Sequence, residues 1–240
     1  MIENFEKAIQ FGTEIVENGG EISRAEETVE RMCKAFGAQN IHVFIIPSLI
    51  SVTATINGEE ITASRRIYKN DLNLGALEEI NNQSRKICGE KNKNGKTDCT
   101  YNIIFNILCV MIATGAFCIY FGGNMYDAVC SGLAGIAITY IPYARKSFNI
   151  FSKTLIESTI AGILSFIPSL IGFETHPDKI MIGTIMLLIP GMSIGAAIKD
   201  MMSGNLIAGI LQLTEAVITA LAIVLGFAVS LIIFGSEHFA

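Results

Sequence analysis

The sequence predicts an α-helical polytopic membrane protein of about five transmembrane helices, preceded by a small amino-terminal cytosolic α+β domain. Charge is segregated: residues 1–100 hold 12 of the 17 Lys+Arg and 15 of the 22 Asp+Glu, whereas residues 101–240 hold 5 and 7. The second part consists of apolar runs close to the roughly 20 residues that a helix needs to cross a hydrocarbon core. The first part mixes helical and alternating apolar periods, separated by glycine-rich breaks. The composition shifts at Cys99, so the expected domains are 1–98 and 99–240.

In the first part, Ile2, Phe5, Ile9, Gly12 and Val16 recur at helical spacing, and Asn18-Gly19-Gly20 supplies a stop. Ser23 with Glu26 three residues on predicts a capping box for a second helix, which continues through Val29, Met32, Cys33 and Phe36 to Gly37. The β-branched runs "IHVFIIP" and "LISVTATI" read as strands, and Asn57-Gly58 is a hairpin turn leading into "ITASRRI". Asp71 is placed to cap a third helix with Leu74, Leu77, Ile80, Ser84 and Ile87 on one face. A polar linker, "CGEKNKNGKTDC", follows. Its "GEKNKNGKT" imitates a phosphate-binding loop, but five residues separate Gly89 from Gly95 where the motif needs four, and a helix precedes it instead of a strand.

Spans are expected near 101–121, 128–143, 154–173, 180–198 and 206–234, the third and fifth carrying one charge each, Glu157 and Glu215. The loop after the second span carries Arg145, Lys146 and Lys153, and the one after the fourth carries Lys199; the opposite loops hold only Lys179. The positive-inside rule then puts the amino terminus in the cytoplasm and the carboxyl terminus outside a multi-pass plasma-membrane protein.

Composition excludes several classes. The two parts carry net charges of −3 and −2, so no basic face argues for nucleic acid. Cys33, Cys88, Cys99, Cys109, Cys118 and Cys130 form no CxxC pair and no ligand-like spacing with His42, His176 and His238, so neither a disulfide framework nor a metal site is expected. The charged first twenty residues lack the apolar core of a secretory signal. No Ser/His/Asp, Cys/His or HExxH arrangement appears, so no enzyme and no cofactor is expected.

Glu215 is the sharpest candidate for transport chemistry. It lies about ten residues inside the last span, beside Gln212, Thr214 and Thr219. Ionisable groups in lipid are costly and usually face a cavity or a bundle interior, and desolvation favours the neutral acid, a candidate proton carrier. Glu157 follows Lys153 at i+4, which also fits a salt bridge at a helix end. Asp200 and Asp127 read as solvated charges, in the turn between the last two spans and at the outer mouth of the second. Pro190-Gly191 interrupts the fourth span, and such broken helices line substrate sites in secondary transporters, although a plain kink is equally compatible. Gly191-xxx-Gly195, Ser158-xxx-Gly162 and Gly226-xxx-Ser230 are small-residue spacings that let helices approach closely. Arg24, Glu26 and Glu27 gather just after a helix break, as a buried network, a ligand clamp, a cytosolic gating or assembly surface, or a solvated helix start.

Three ordered blocks resemble the threonine/serine exporter family. "ENGGEISRAEETVERMCKAFGAQNIHVFIIPSLISVTA" is similar to its amino-terminal block, "RRIYKNDLNLGALEEINNQSRKI" to the block that closes that domain, and "IPGMSIGAAIKDMMSGNLIAGILQLTEA" to its Pro-Gly…Arg-Asp…Ser-Gly-Asp…Thr-Glu-Ala segment. Within the last, Gly195 or Ala196 stands near an expected Asn, Lys199 replaces Arg, and Asn205 replaces Asp. The resemblance is to the larger component of the split, two-component form. It implies export of a small polar metabolite, an amino acid of the threonine/serine type or a dicarboxylate; with Glu215 as candidate proton carrier, a proton-coupled secondary exporter is expected. It also implies a second small membrane subunit, with a homo-oligomer as a further possibility. Pro190, Gly191, Asp200, Gln212, Glu215 and Glu157 are the expected substrate and proton path. A second class stays open: a membrane-anchored sensor or enzyme whose domain 1–98 binds a small ligand.

Overall fold

A computed structural model describes residues 2–68, 72–89, 103–140 and 149–234. They form helices α1 (Ile2–Glu17), α2 (Ile22–Ala35), α3 (Leu74–Ile87), α4 (Ile103–Tyr120), α5 (Met125–Tyr140), α6 (Ile150–Leu170), α7 (Pro177–Leu188), α8 (Gly191–Met202) and α9 (Leu206–Phe234), with strands β1 (Gln39–Ile46), β2 (Leu49–Ile56) and β3 (Glu59–Arg66). The chain divides into two compact units, 1–99 with 191–215 and 100–190 with 216–240. The stretch around the Lys199-Asp200 pair thus clusters with the amino-terminal elements.

In the first unit the strands form an antiparallel sheet in the order β1-β2-β3. Strand β2 alternates strictly, burying Ile50, Val52, Ala54 and Ile56 while its other residues stay half-exposed, as a strand covered on one face must. The cover is α1 and α2, whose Phe5, Ile9, Ile15, Val29 and Met32 share a core with the strand residues and with Ala208 of α9. Asn57 (φ 54°) and Gly58 (φ 85°) are both left-handed, the geometry of a tight hairpin turn, where the sequence places it. Helix α1 ends as expected: Gly19 (φ +76°) lets its own N–H and that of Gly20 reach back to Val16 O and Ile15 O.

One expected cap is not formed, and another falls outside the described residues. Helix α2 starts at Ile22 after Glu21, so Ser23 and Glu26 lie inside the helix, and no side chain of the expected box caps it. Helix α3 is capped by Asn73, whose Oδ1 accepts from Ala76 N at 3.1 Å; Asp71 lies outside the described residues. The imitation phosphate loop from Glu90 onward, and Arg145 and Lys146, lie outside them too.

The second unit packs helices through small residues. Gly132 and Gly135 of α5 face Met111 and Thr114 of α4, and Gly183 of α7 faces Ser131, Thr114 O and Cys118. Ser131 Oγ donates to Thr114 O at 3.2 Å. On α6 and α9, two of the expected small-residue spacings meet each other: Gly226 lies against Ser158 and Leu155 O, and Gly162 against Ser230 and Phe227. The third, Gly191 and Gly195, belongs to the first unit, and among the described residues no atom of another element lies within 4 Å of a methyl added at either position.

Three helices, α4, α6 and α9, are long and apolar enough to cross a membrane, or four if α7 and α8 count as one broken span. The expected span 128–143 is the 16-residue α5, and 180–198 is two 12-residue helices separated at Ile189–Pro190. The proline explains the break. It has no N–H for the preceding turn, and its ring clashes with the carbonyl that would close that turn.

Candidate functional site

The first unit holds a buried polar cluster built from the α8–α9 turn and the start of α2. Asp200 is not a solvated turn residue. It is the third residue from the end of α8 and is completely buried. The turn itself is Ser203-Gly204, where Gly204 (φ +96°) returns its N–H to Met201 O and Asn205 N reaches Asp200 O at 2.9 Å. The chain therefore leaves α8 along a path that keeps the Asp200 side chain inside.

That carboxylate takes the place of the capping box expected from Ser23 and Glu26. Asp200 Oδ2 accepts from Ile22 N at 3.2 Å and Oδ1 from Ser23 N at 3.3 Å. The first amides of a helix have no partner of their own and carry the positive end of its dipole, so a carboxylate is their preferred acceptor. Gln212 Nε2 of α9 donates to the same Oδ2 at 3.0 Å. A second carboxylate works beside it: Glu26 accepts from Ile45 N of β1 at 3.2 Å and from Asn205 Nδ2 at 2.9 Å. Lys199 Nζ pairs with Glu21 at 2.7 Å, on the exposed edge of the cluster. Close packing lets the two helices converge: a methyl on Gly209 would lie 2.7 Å from Ala197 O and 3.1 Å from Met201 N.

The structure thus brings Asp200, Gln212 and Glu26 together among the expected site residues, and adds Asn205, Lys199 and Glu21. Arg24 and Glu27 are exposed on α2, Gly191 is exposed at the start of α8, and Glu215 is half-buried one turn after Gln212. Glu157 and Pro190 belong to the second unit. There Glu157 is 12% exposed, with Lys153 Nζ at 4.0 Å. Asn205 was visible in the sequence as the residue standing where the resembled family has Asp. Its bond to Glu26, 179 positions away, was not.

A second buried carboxylate corrects another expectation. Asp127 is fully buried, not solvated, and His176 is not isolated. Asp127 N donates to Asn124 Oδ1 at 2.8 Å and Asp127 Oδ2 accepts from Asn124 N at 2.9 Å, a reciprocal capping box at the start of α5. The same carboxylate accepts from His176 N at 2.8 Å and lies 3.0 Å from His176 Nδ1. The spacing Asn124-x-x-Asp127 carries the signal for the box; nothing local carries the signal for His176.

Helices long and apolar enough to cross a membrane, in a chain that also carries a sheet-bearing unit with a buried polar cluster, define a multi-pass membrane protein. The profile of the family described as "Putative threonine/serine exporter" matches residues 6–234, and the chain belongs to that family. The "Probable succinate transporter subunit YjjP" of Escherichia coli K12 is 24% identical over 243 residues, covering 95% of this chain and 93% of its own. Its counterpart in Klebsiella aerogenes is 22% identical over 246 residues, covering 97% and 94%. The "Pheromone-regulated membrane protein 10" of Debaryomyces hansenii is 23% identical over 190 residues, covering 76% of this chain and 18% of that protein. No solved structure matches. The family is described by export and the two bacterial relatives are named as transporter subunits, so the chain belongs to a family of membrane transporters, not of enzymes.

Proposed function

We propose that this chain is the larger subunit of a two-component, proton-coupled secondary exporter for a small polar metabolite, a dicarboxylate or an amino acid of the threonine/serine type. The observation that carries this reading is the near full-length match to relatives named as subunits of a succinate transporter, within a family described by threonine and serine export. The word subunit supports a second membrane component. The count of five membrane crossings rests on the apolar runs of the sequence, and the charges of the loops between them support the residue 1–98 domain in the cytoplasm and an external carboxyl end. The path would run past Pro190, Gly191, Gln212, Glu215 and Glu157, with Glu215 as the coupling or recognition group.

The test is efflux. Cells loaded with labelled succinate or threonine would be compared with and without this chain, and with and without a co-expressed candidate second subunit. The reading expects release that requires this chain and rises with the second subunit. If no combination changes external succinate, threonine or serine, the substrate assignment is wrong.

A further inference from the structure

Asp200 sits between two helices and bonds both through one atom. Its Oδ2 accepts from Ile22 N at 3.2 Å on α2 and from Gln212 Nε2 at 3.0 Å on α9, while Oδ1 accepts from Ser23 N at 3.3 Å. A shared acceptor makes the two helices answer to each other, because displacement of either lengthens a bond that the buried carboxylate cannot replace with water. Gln212 is a long side chain with several rotamers of its own. Held by Asp200 it has one orientation, one turn before Glu215.

We propose that Asp200 is a positioning residue for transport: by accepting from α2 and from Gln212 at once, it lets the position of α2 set the orientation of a polar group on the last helix. The proposal rests on the exporter reading above. The contacts are ordered by strength in the way such a coupling requires. The Asp200 carboxylate is fully buried and its bonds are charge-assisted. The Glu26 carboxylate ties β1 to the residue just before α9, through Ile45 N and Asn205 Nδ2. The Lys199–Glu21 pair is exposed (61% and 30%) and holds little by comparison. Losing the outermost contact therefore leaves the coupling in place, and losing Asp200 breaks it.

The experiment uses the full-length chain under the conditions in which its efflux is measured, with labelled succinate and threonine as probes. Asp200→Asn keeps the shape of the side chain and removes the charge that two helix amides favour. Its maximal efflux rate should fall about tenfold, the ratio to which one lost charge-assisted hydrogen bond corresponds, with KM little changed. Gln212→Ala should show a similar fall, and the double variant no further loss, because both act through one contact. Asp200→Glu, which restores the charge, should recover part of the rate. Hydrogen exchange on the same proteins in lipid nanodiscs supplies a second readout: in Asp200→Asn the amides of Ile22 and Ser23 and those around Gln212 should exchange faster together.

Independent, multiplying losses for the two variants would overturn the proposal, as would a wild-type rate in Asp200→Asn. A rise in KM alone would also overturn it, since that places Asp200 on the substrate. A wild-type chain that moves neither probe would instead overturn the exporter reading. The exchange measurement then decides the coupling by itself: faster exchange at α2 with no change near Gln212 refutes it.

Discussion

Replacing Asp127 by Asn tests whether a buried carboxylate, rather than its histidine neighbour, fastens the start of α7 to the start of α5. The carboxylate receives Asn124 N at 2.9 Å and His176 Nδ1 at 3.0 Å on Oδ2, and His176 N at 2.8 Å on Oδ1. An asparagine has one acceptor oxygen. Turned to replace Oδ2, it keeps two of the bonds and points its NH2 group at the backbone N–H of His176; the opposite orientation orphans more. The better choice leaves a part-buried N–H without its acceptor, about 1–2 kcal/mol, and loses a charge at a helix amino end, about 0.3–1 kcal/mol more. At about 2–4 °C per kcal/mol for a chain of this size, the melting temperature should fall on the order of 5–10 °C. His176→Ala provides the contrast. Its ring is 61% exposed, and the backbone N–H and the Asn124 box remain, so the loss should stay within about 1 kcal/mol. Fluorescence-detected size exclusion of heated, detergent-solubilised protein reads both. Equal shifts for the two variants, or none for Asp127→Asn, would refute the reasoning.

Three further outcomes follow from the packing and the burial. A methyl on Gly226 would lie 2.8 Å from Leu155 O, a backbone atom, so Gly226→Ala should cost about 1–3 kcal/mol by forcing α6 and α9 apart. Gly12→Ala would put a methyl 2.4 Å from Val29 Cγ2 and 2.8 Å from Ile50 Cδ1, both residues fully buried and Val29 stiff at χ1, so it should also cost about 1–3 kcal/mol; a wild-type melting temperature in either variant would be inconsistent with this packing. Burial pushes the Cys33 thiol up to about 11, so at neutral pH it should react with maleimide far more slowly in the native protein than after denaturation, and equal rates would contradict its enclosure. Glu215→Gln should reduce efflux without lowering the amount of protein in the membrane, and unchanged efflux at equal expression would remove Glu215 from the mechanism.

The first unit was legible where the signal was local. Asn57-Gly58 determines its own turn, and the alternation of Ile50, Val52, Ala54 and Ile56 follows from a strand with one covered face. Local reading failed at Ser23 and Glu26, because a capping box competes with any stronger acceptor that the fold delivers. Here the fold delivers Asp200 from 178 positions away. It failed at Asp127 and Asp200 for the same reason: a lone carboxylate beside an apolar run looks solvated until its amide donors are known. The interruption at Pro190 was legible as a break. Its consequence, that 191–215 clusters with the amino-terminal elements, depends on the same long-range bonds. Among the small-residue spacings, two of three proved to face each other, and sequence alone could not separate them from the third because glycine and serine are common throughout these helices.

The two buried aspartates solve one physical problem in one way. A carboxylate taken out of water needs compensation, and the apolar part of this chain has only 5 Lys and Arg to offer it. Both are satisfied mainly by helix-start amides: Asp200 by those of α2, Asp127 by Asn124 N at α5 and His176 N at α7. Backbone amides are fixed in direction and cannot swing away as a lysine can, so each carboxylate reports where a helix begins. The consequence separates the two sites. Asp127 also closes its own helix cap, and should act as a fastening. Asp200 closes none on its own helix; it serves α2 and Gln212, and its loss should register first in what those two do together.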